Sequence, residues 1–211
     1  MSAIGHHVPE SMLAAYAAGS LPNAFAVVVA SHVSLCGQCR VALEAHQNVG
    51  GLLLEDAKTV SVSSRLKADI LSQLDAPYRP EPVYDRSGIY PGPVMETLKG
   101  RKPRWKNLGR GVRQDILSEG KKGSVRLLYI PPGQAVPDHG HNGLELTLVL
   151  QGSFSDETGR FGVGDLEVAD EELDHTPVAD DGDACICLAA TDAPLRFHAF
   201  MPRLLQPLFR I

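Results

Sequence analysis

The hydrophobic pattern of this chain changes character once. From residue 9 to residue 75, apolar positions recur at three- and four-residue intervals, which predicts helices. Pro9 and Glu10 open a first helix that runs through Tyr16, and Gly19 ends it. Ser20 is placed to cap a second, with Pro22 near its first position, and this one carries Val27, Val28 and His32. A third holds Val41, Leu43 and Ala45 and is expected to stop at Gly50-Gly51. Leu52 to Val62 reads as a hinge or frayed helix. Ser63 or Ser64 caps a fourth, in which Leu66, Ile70, Leu71 and Leu74 line one face. Pro77, Pro80, Pro82, Pro91 and Pro93 then crowd residues 76–93. Such density forbids regular helices and ladders, so the stretch reads as a linker between domains with few mutual contacts.

Beyond the linker the pattern turns to short apolar runs bounded by Gly, Pro and Asp. They are Val112 to Leu117, Val125 to Ile130, Leu144 to Leu150, Phe161 to Val168, Ala184 to Ala189 and Leu195 to Phe200. Many short strands without intervening helices predict a sandwich or small barrel. The expected organisation is α+β: a helical domain over 1–75, a linker over 76–93 and an all-β domain over 94–211.

Chemistry is concentrated in two places. The first is His32-Val33-Ser34-Leu35-Cys36-Gly37-Gln38-Cys39. His32 and Cys36 stand i, i+4 on one helix face, and Cys39 follows from the next turn. Imidazole and thiolate together select a zinc-like ion at tetrahedral geometry. A closed site needs a fourth ligand, and His6 and His7 are the nearby candidates. Three short helices bury little core, so a domain of this size has a physical need for a metal staple.

The second constellation runs Gly133, five spacers, His139, one spacer, His141, three spacers, Glu145, six spacers, Gly152. His139 and His141 are i, i+2, so a strand points them to one side, and Glu145 can return from the next strand. His175 follows Gly162-Val163-Gly164-Asp165 by ten residues. Three imidazoles and a carboxylate suit Zn, Mn, Fe, Ni or Cu. Cys185 and Cys187, i, i+2 on one strand, read either as small core residues or as a redox pair; a disulfide between them would strain the strand.

The net charge of −5 argues against nonspecific nucleic-acid affinity, which needs a basic surface. Lys99, Arg101, Lys102, Arg104, Lys106, Arg110 and Arg113 form a local basic stretch, with Trp105 its lone aromatic, and read as a solvated surface. Ala24 to Ala30, as long as any apolar run, is too short to span a bilayer, and no secretory leader is seen. The C-x-x-C and C-x-C spacings do not resemble a secreted disulfide framework, so a reducing cytoplasm is expected. Neither a direct nucleic-acid partner nor a membrane is expected.

The Gly133–Gly152 spacing resembles the first cupin motif. The second is matched in part, because Asp170 to Asp174 replace the usual Pro-x-Gly ahead of the histidine and Ala179 stands where an Asn is common. A helical His-x3-Cys-x2-Cys module joined to a cupin barrel resembles the ChrR family of zinc-binding anti-sigma factors. The likeness extends to His6-His7-Val8, Gln134 to His141, Cys185-Ile186-Cys187 and Ala193 to Phe197. It implies that His7 completes a structural Zn2+ site with His32, Cys36 and Cys39. It implies that His139, His141, Glu145 and His175 hold Zn2+ or another divalent transition metal in the cupin, with no catalytic residue. It further implies a transcriptional regulator whose helical domain grips an extracytoplasmic-function sigma factor, and whose cupin responds to singlet oxygen or organic hydroperoxide. On its residues alone the fourth helix could equally pack on its own domain or lie in a partner's groove; the resemblance points to the partner. The competing expectation is a metal-dependent cupin enzyme, such as a dioxygenase, with a helical zinc module for dimerisation.

Overall fold

A computed structural model describes residues 3–74, 77, 80–120, 122–137, 139–193 and 195–197, the side chains of 139, 141 and 195–197 excepted. Helix α1 (Glu10–Ala17) starts where the Pro9 carbonyl accepts the Met12 and Leu13 N–H groups at 2.9 and 3.1 Å. It ends at Gly19, whose φ of +67° closes the turn without a Cβ penalty. Helix α2 (Asn23–Leu35) opens directly after Pro22 with no side-chain cap. The expected cap, Ser20, instead donates its hydroxyl back to the Ala15 carbonyl at 3.2 Å, closing α1. Helix α3 (Gly37–Glu55) runs through Gly50-Gly51 rather than stopping there. Leu52, Leu53 and Leu54 are strong helix formers and carry it one more turn. Helix α4 (Ser64–Gln73) starts as expected, the Ser63 hydroxyl accepting the Leu66 N–H at 3.1 Å. A short α5 (Gly92–Thr97) begins inside the stretch read as linker; residues 81–86 carry neither helix nor strand.

The β half comprises β1 (Lys106–Gly109), β2 (Val112–Gly120), β3 (Gly123–Ile130), β4 (His139–His141), β5 (Glu145–Gln151), β6 (Ser153–Ser155), β7 (Arg160–Gly162), β8 (Leu166–Ala169), β9 (Asp174–His175), β10 (Val178–Ala179), β11 (Cys185–Thr191) and β12 (Leu195–Phe197). They form a six-stranded antiparallel sheet, β1-β2-β3-β11-β5-β8, and two three-stranded sheets, β10-β6-β7 and β12-β4-β9. The cupin-type β structure is thus divided among three sheets. At the β8 edge the N-terminal arm takes the place of a further strand, the Leu166 N–H donating to the His6 carbonyl at 3.2 Å. The predicted Phe161–Val168 strand is broken by a turn at Gly162–Asp165, where the Asp165 N–H reaches the Gly162 carbonyl at 2.9 Å.

Alternation along the central strands assigns two faces. Leu146, Leu148 and Leu150 of β5 and Ile186, Leu188 and Ala190 of β11 share one core cluster with Phe25, Val28 and Val29 of α2. The opposite face presents Val149, Cys185 and Cys187 to Phe154, Phe161 and Ala179. The central strands are thus buried on both faces, and α2 is the cover on the outer one. The helices share a core with the sheet instead of touching it sparsely. Proline density describes the connecting chain and says nothing about apolar faces that meet elsewhere.

Candidate metal centres

The first centre sits at the corner between α2 and α3. His32 lies in the last turn of α2. Cys36 breaks the helix with extended backbone, φ −104° and ψ 111°, and becomes the N-cap of α3. Its thiol accepts the Cys39 N–H at 3.5 Å, which brings the second cysteine round to the first. His7 arrives on the extended arm before Pro9. His32 Nε2 is 3.2 Å from Cys39 Sγ, and His7 Nδ1 is 3.4 and 3.6 Å from the sulfurs of Cys36 and Cys39. All four ligand atoms lie within 4.8 Å of one another. Donors held tetrahedrally by zinc stand about 3.3–3.8 Å apart, so the spacing fits such an ion. His6 is turned away: its ring packs on Phe161 at 4.4 Å, and its Nδ1 is 3.6 Å from Asp165.

Electrostatics favour a cation here. Burial, with His7 nearby, lowers the His32 pKa to about 4, so the imidazole is neutral and ready to ligate. Burial, reinforced by the neighbouring Cys36, raises the Cys39 thiol above its ordinary range, and the Val8 N–H only partly offsets this. A thiolate pair in this pocket needs a compensating positive charge, which a divalent ion supplies.

The second centre lies in the β half. Strands β4 and β9 pair with His139 opposite His175 in backbone register. The side chains of His139 and His141 lie outside the described residues. Glu145 is buried at the head of β5, where its Oε1 accepts the Thr147 hydroxyl at 2.9 Å. By alternation it shares the face that carries Val149 and Cys187. His175 is buried, and its Nδ1 stands 2.7 Å from Asp156 Oδ2 and 3.3 Å from Glu167 Oε1. The structure thus groups His175 with two carboxylates the motif did not suggest.

Asp156 is held from both sides. Its Oδ1 accepts the Thr158 N–H and hydroxyl at 2.8 and 2.7 Å and the Gly159 N–H at 3.1 Å, which builds the β6–β7 turn. The Asp-x-Thr-Gly string is the sequence trace of that turn. Burial opposes a charge on His175, but Glu167 and Asp156 outweigh it and raise its pKa to about 9. Burial raises Glu167 to about 7. A carboxylate on Nδ1 is an arrangement common around histidines that ligate a metal through Nε2. Asp156→Asn is expected to weaken metal binding at this centre by about 10- to 100-fold, by metal competition against a chelator.

Cys185 and Cys187 are buried free thiols with sulfurs 3.4 Å apart. The Cys185 thiol and burial raise Cys187 well above the ordinary thiol range, helped by Glu167 and Glu145. It is therefore a poor nucleophile, and packing against Phe154 and Phe161 describes its environment.

A third feature is a surface. Val49, Leu52, Leu53 and Leu54 of α3, Val60 and Val62 beyond it, and Leu66, Ile70 and Leu71 of α4 are all exposed. Helix α4 buries nothing among the described residues. No single described helix is long and apolar enough to cross a membrane.

Residues 95–194 match the ChrR cupin-like domain. Over 211 residues the chain is 55% identical to the anti-sigma-E factor ChrR of Cereibacter sphaeroides, covering 99% of each. This chain belongs to the ChrR family of anti-sigma factors. A chain of the crystal structure of Rhodobacter sphaeroides SigE in complex with the anti-sigma ChrR superposes with a TM-score of 0.80 at 53% identity. It covers 90% of this chain and 99% of that one. The fold is therefore that of the ChrR family: helices at the N-terminus and a cupin-type β structure at the C-terminus, with a four-residue cluster able to hold a metal between the N-terminal arm and the α2–α3 corner.

Proposed function

We propose that this chain sequesters an extracytoplasmic-function sigma factor in the cytoplasm, keeps it from RNA polymerase, and releases it under singlet oxygen or organic hydroperoxide stress. The observation that carries the reading is the uncovered aliphatic surface running from the end of α3 through α4. An apolar stripe at helical spacing is the form in which a helix lies in a partner's groove. The ChrR relative, alike along the whole chain, is named an anti-sigma factor, and the related crystal structure is of such a complex.

In this reading residues 1–75 form the sigma-binding domain, 76–93 a connection and 94–211 the sensing cupin. His7, His32, Cys36 and Cys39 hold a structural Zn2+, whose role is to fix the α2–α3 corner and with it the direction of the exposed end of α3. His139, His141, Glu145 and His175 hold Zn2+ or another divalent transition metal, with Asp156 and Glu167 orienting His175. The protein acts by binding rather than by turnover, and no residue is assigned a catalytic role.

The test of the sensing role is a reporter driven by the sigma factor. Glu145→Ala and His141→Ala should keep it repressed at rest and blunt its induction by singlet oxygen or hydroperoxide several-fold. Metal-dependent consumption of oxygen or hydroperoxide over many turnovers, lost in the same variants, would instead identify a cupin enzyme.

A further inference from the structure

Residues 3–9, the described part of the arm that brings His7 to the first centre, carry neither helix nor strand. The arm is held by the β7–β8 turn of the cupin. Asp165 Oδ1 accepts the N–H of Gly5 at 2.7 Å and that of His6 at 2.9 Å. Its Oδ2 accepts the Gly162 N–H at 2.8 Å, which fixes the carboxylate within its own turn. The Leu166 N–H then reaches the His6 carbonyl at 3.2 Å, so the arm is stitched on both sides of His6. Ile4 lies over Gly164, where a Cβ would stand 2.6 Å from the Ile4 side chain, and Gly164 has φ +93°. A glycine is required there twice over, by conformation and by the approach of the arm.

The same turn meets the second histidine of the centre. His32 Nδ1 is buried without a hydrogen-bond partner among the described residues, and against the effects of burial and His7 the Gly164 backbone and the Asp165 carboxylate of this turn both act on its ring. An ion on Nε2 leaves the proton on Nδ1. The arm that carries His7 is therefore oriented by a loop 160 residues from Gly5 in sequence.

We propose that Asp165 is a positioning residue for the N-terminal metal centre, and that the cupin turn Gly162–Asp165 holds the His7 arm closed over His32, Cys36 and Cys39. The proposal rests on the metal reading of that cluster. It makes the centre a joint product of both halves, so the cupin governs how readily the ion is lost from the helical half.

The test uses the full chain loaded with cobalt in place of zinc. Its thiolate-to-cobalt charge-transfer band reports the Cys36–Cys39 centre, and excess EDTA draws the ion out. Asp165→Ala should lose the band about tenfold faster than the parent chain, the scale usual for outer-shell partners, with metal at the cupin centre retained. Ile4→Ala, which loosens the arm from its own side and leaves the turn intact, should also release faster; it decides alone where Asp165→Ala does not fold. Parent rates in both variants, or simultaneous loss of the cupin metal, would overturn the positioning role. A parent chain that shows no thiolate band would overturn the metal reading and this inference with it.

Discussion

Cys36→Ser is expected to empty the N-terminal centre and abolish sigma-factor binding by the full chain. Cys36 has three tasks at once: it ends α2, caps α3 through its sulfur, and stands 3.4 Å from His7. Structural zinc in small modules contributes about 10–16 kcal/mol of apparent binding free energy, which is folding free energy for the elements it joins. His32, Cys36 and Cys39 are all buried at this corner, so losing the ion leaves polar ligand atoms in an apolar setting. The variant should carry one metal equivalent fewer and show reduced helical circular dichroism. Retained helicity together with undiminished inhibition would remove the structural-metal account, whatever the cupin does.

The second large effect is expected on α4. Leu66→Asp combined with Ile70→Asp should weaken sigma binding by at least about 100-fold, because anchoring residues at a protein interface commonly contribute 2 kcal/mol or more each. Both side chains are exposed, at 43% and 53%, so the free chain should keep its stability and its metal. That separation distinguishes a docking surface from a core. Binding at parental strength, measured by calorimetry with the cognate sigma factor, would assign the stripe to something other than the sigma interface.

What could be read in the sequence divides along a physical line. The first centre was legible because helix geometry is local: i, i+4 places His32 beside Cys36, and a turn brings in Cys39. The Ser63 cap and the α4 stripe were legible for the same reason. Asp156 and Glu167 were not, since they reach His175 across three sheets and the cupin spacing names only ligands. The break in Phe161–Val168 is hidden because Gly162-Val163-Gly164-Asp165 lies between apolar residues on both sides and reads as part of one strand. The shared core carried a signal that alternation could have revealed. Leu146, Leu148 and Leu150 occupy one face of β5 while Glu145, Thr147 and Val149 occupy the other. A barrel with its interior on the Glu145 side needs a cover for the leucines, and α2 is that cover. The clamp of Asp165 on Gly5 spans 160 residues and has no local trace at all.

The measurement that bears most directly on the central claim is transcription by RNA polymerase programmed with the cognate extracytoplasmic-function sigma factor, titrated with the purified full chain. The account predicts that transcription from the sigma factor's promoter falls to background at about one chain per sigma factor, while transcription programmed by the housekeeping sigma factor is untouched. Undiminished transcription at a large excess of metal-loaded chain would contradict it.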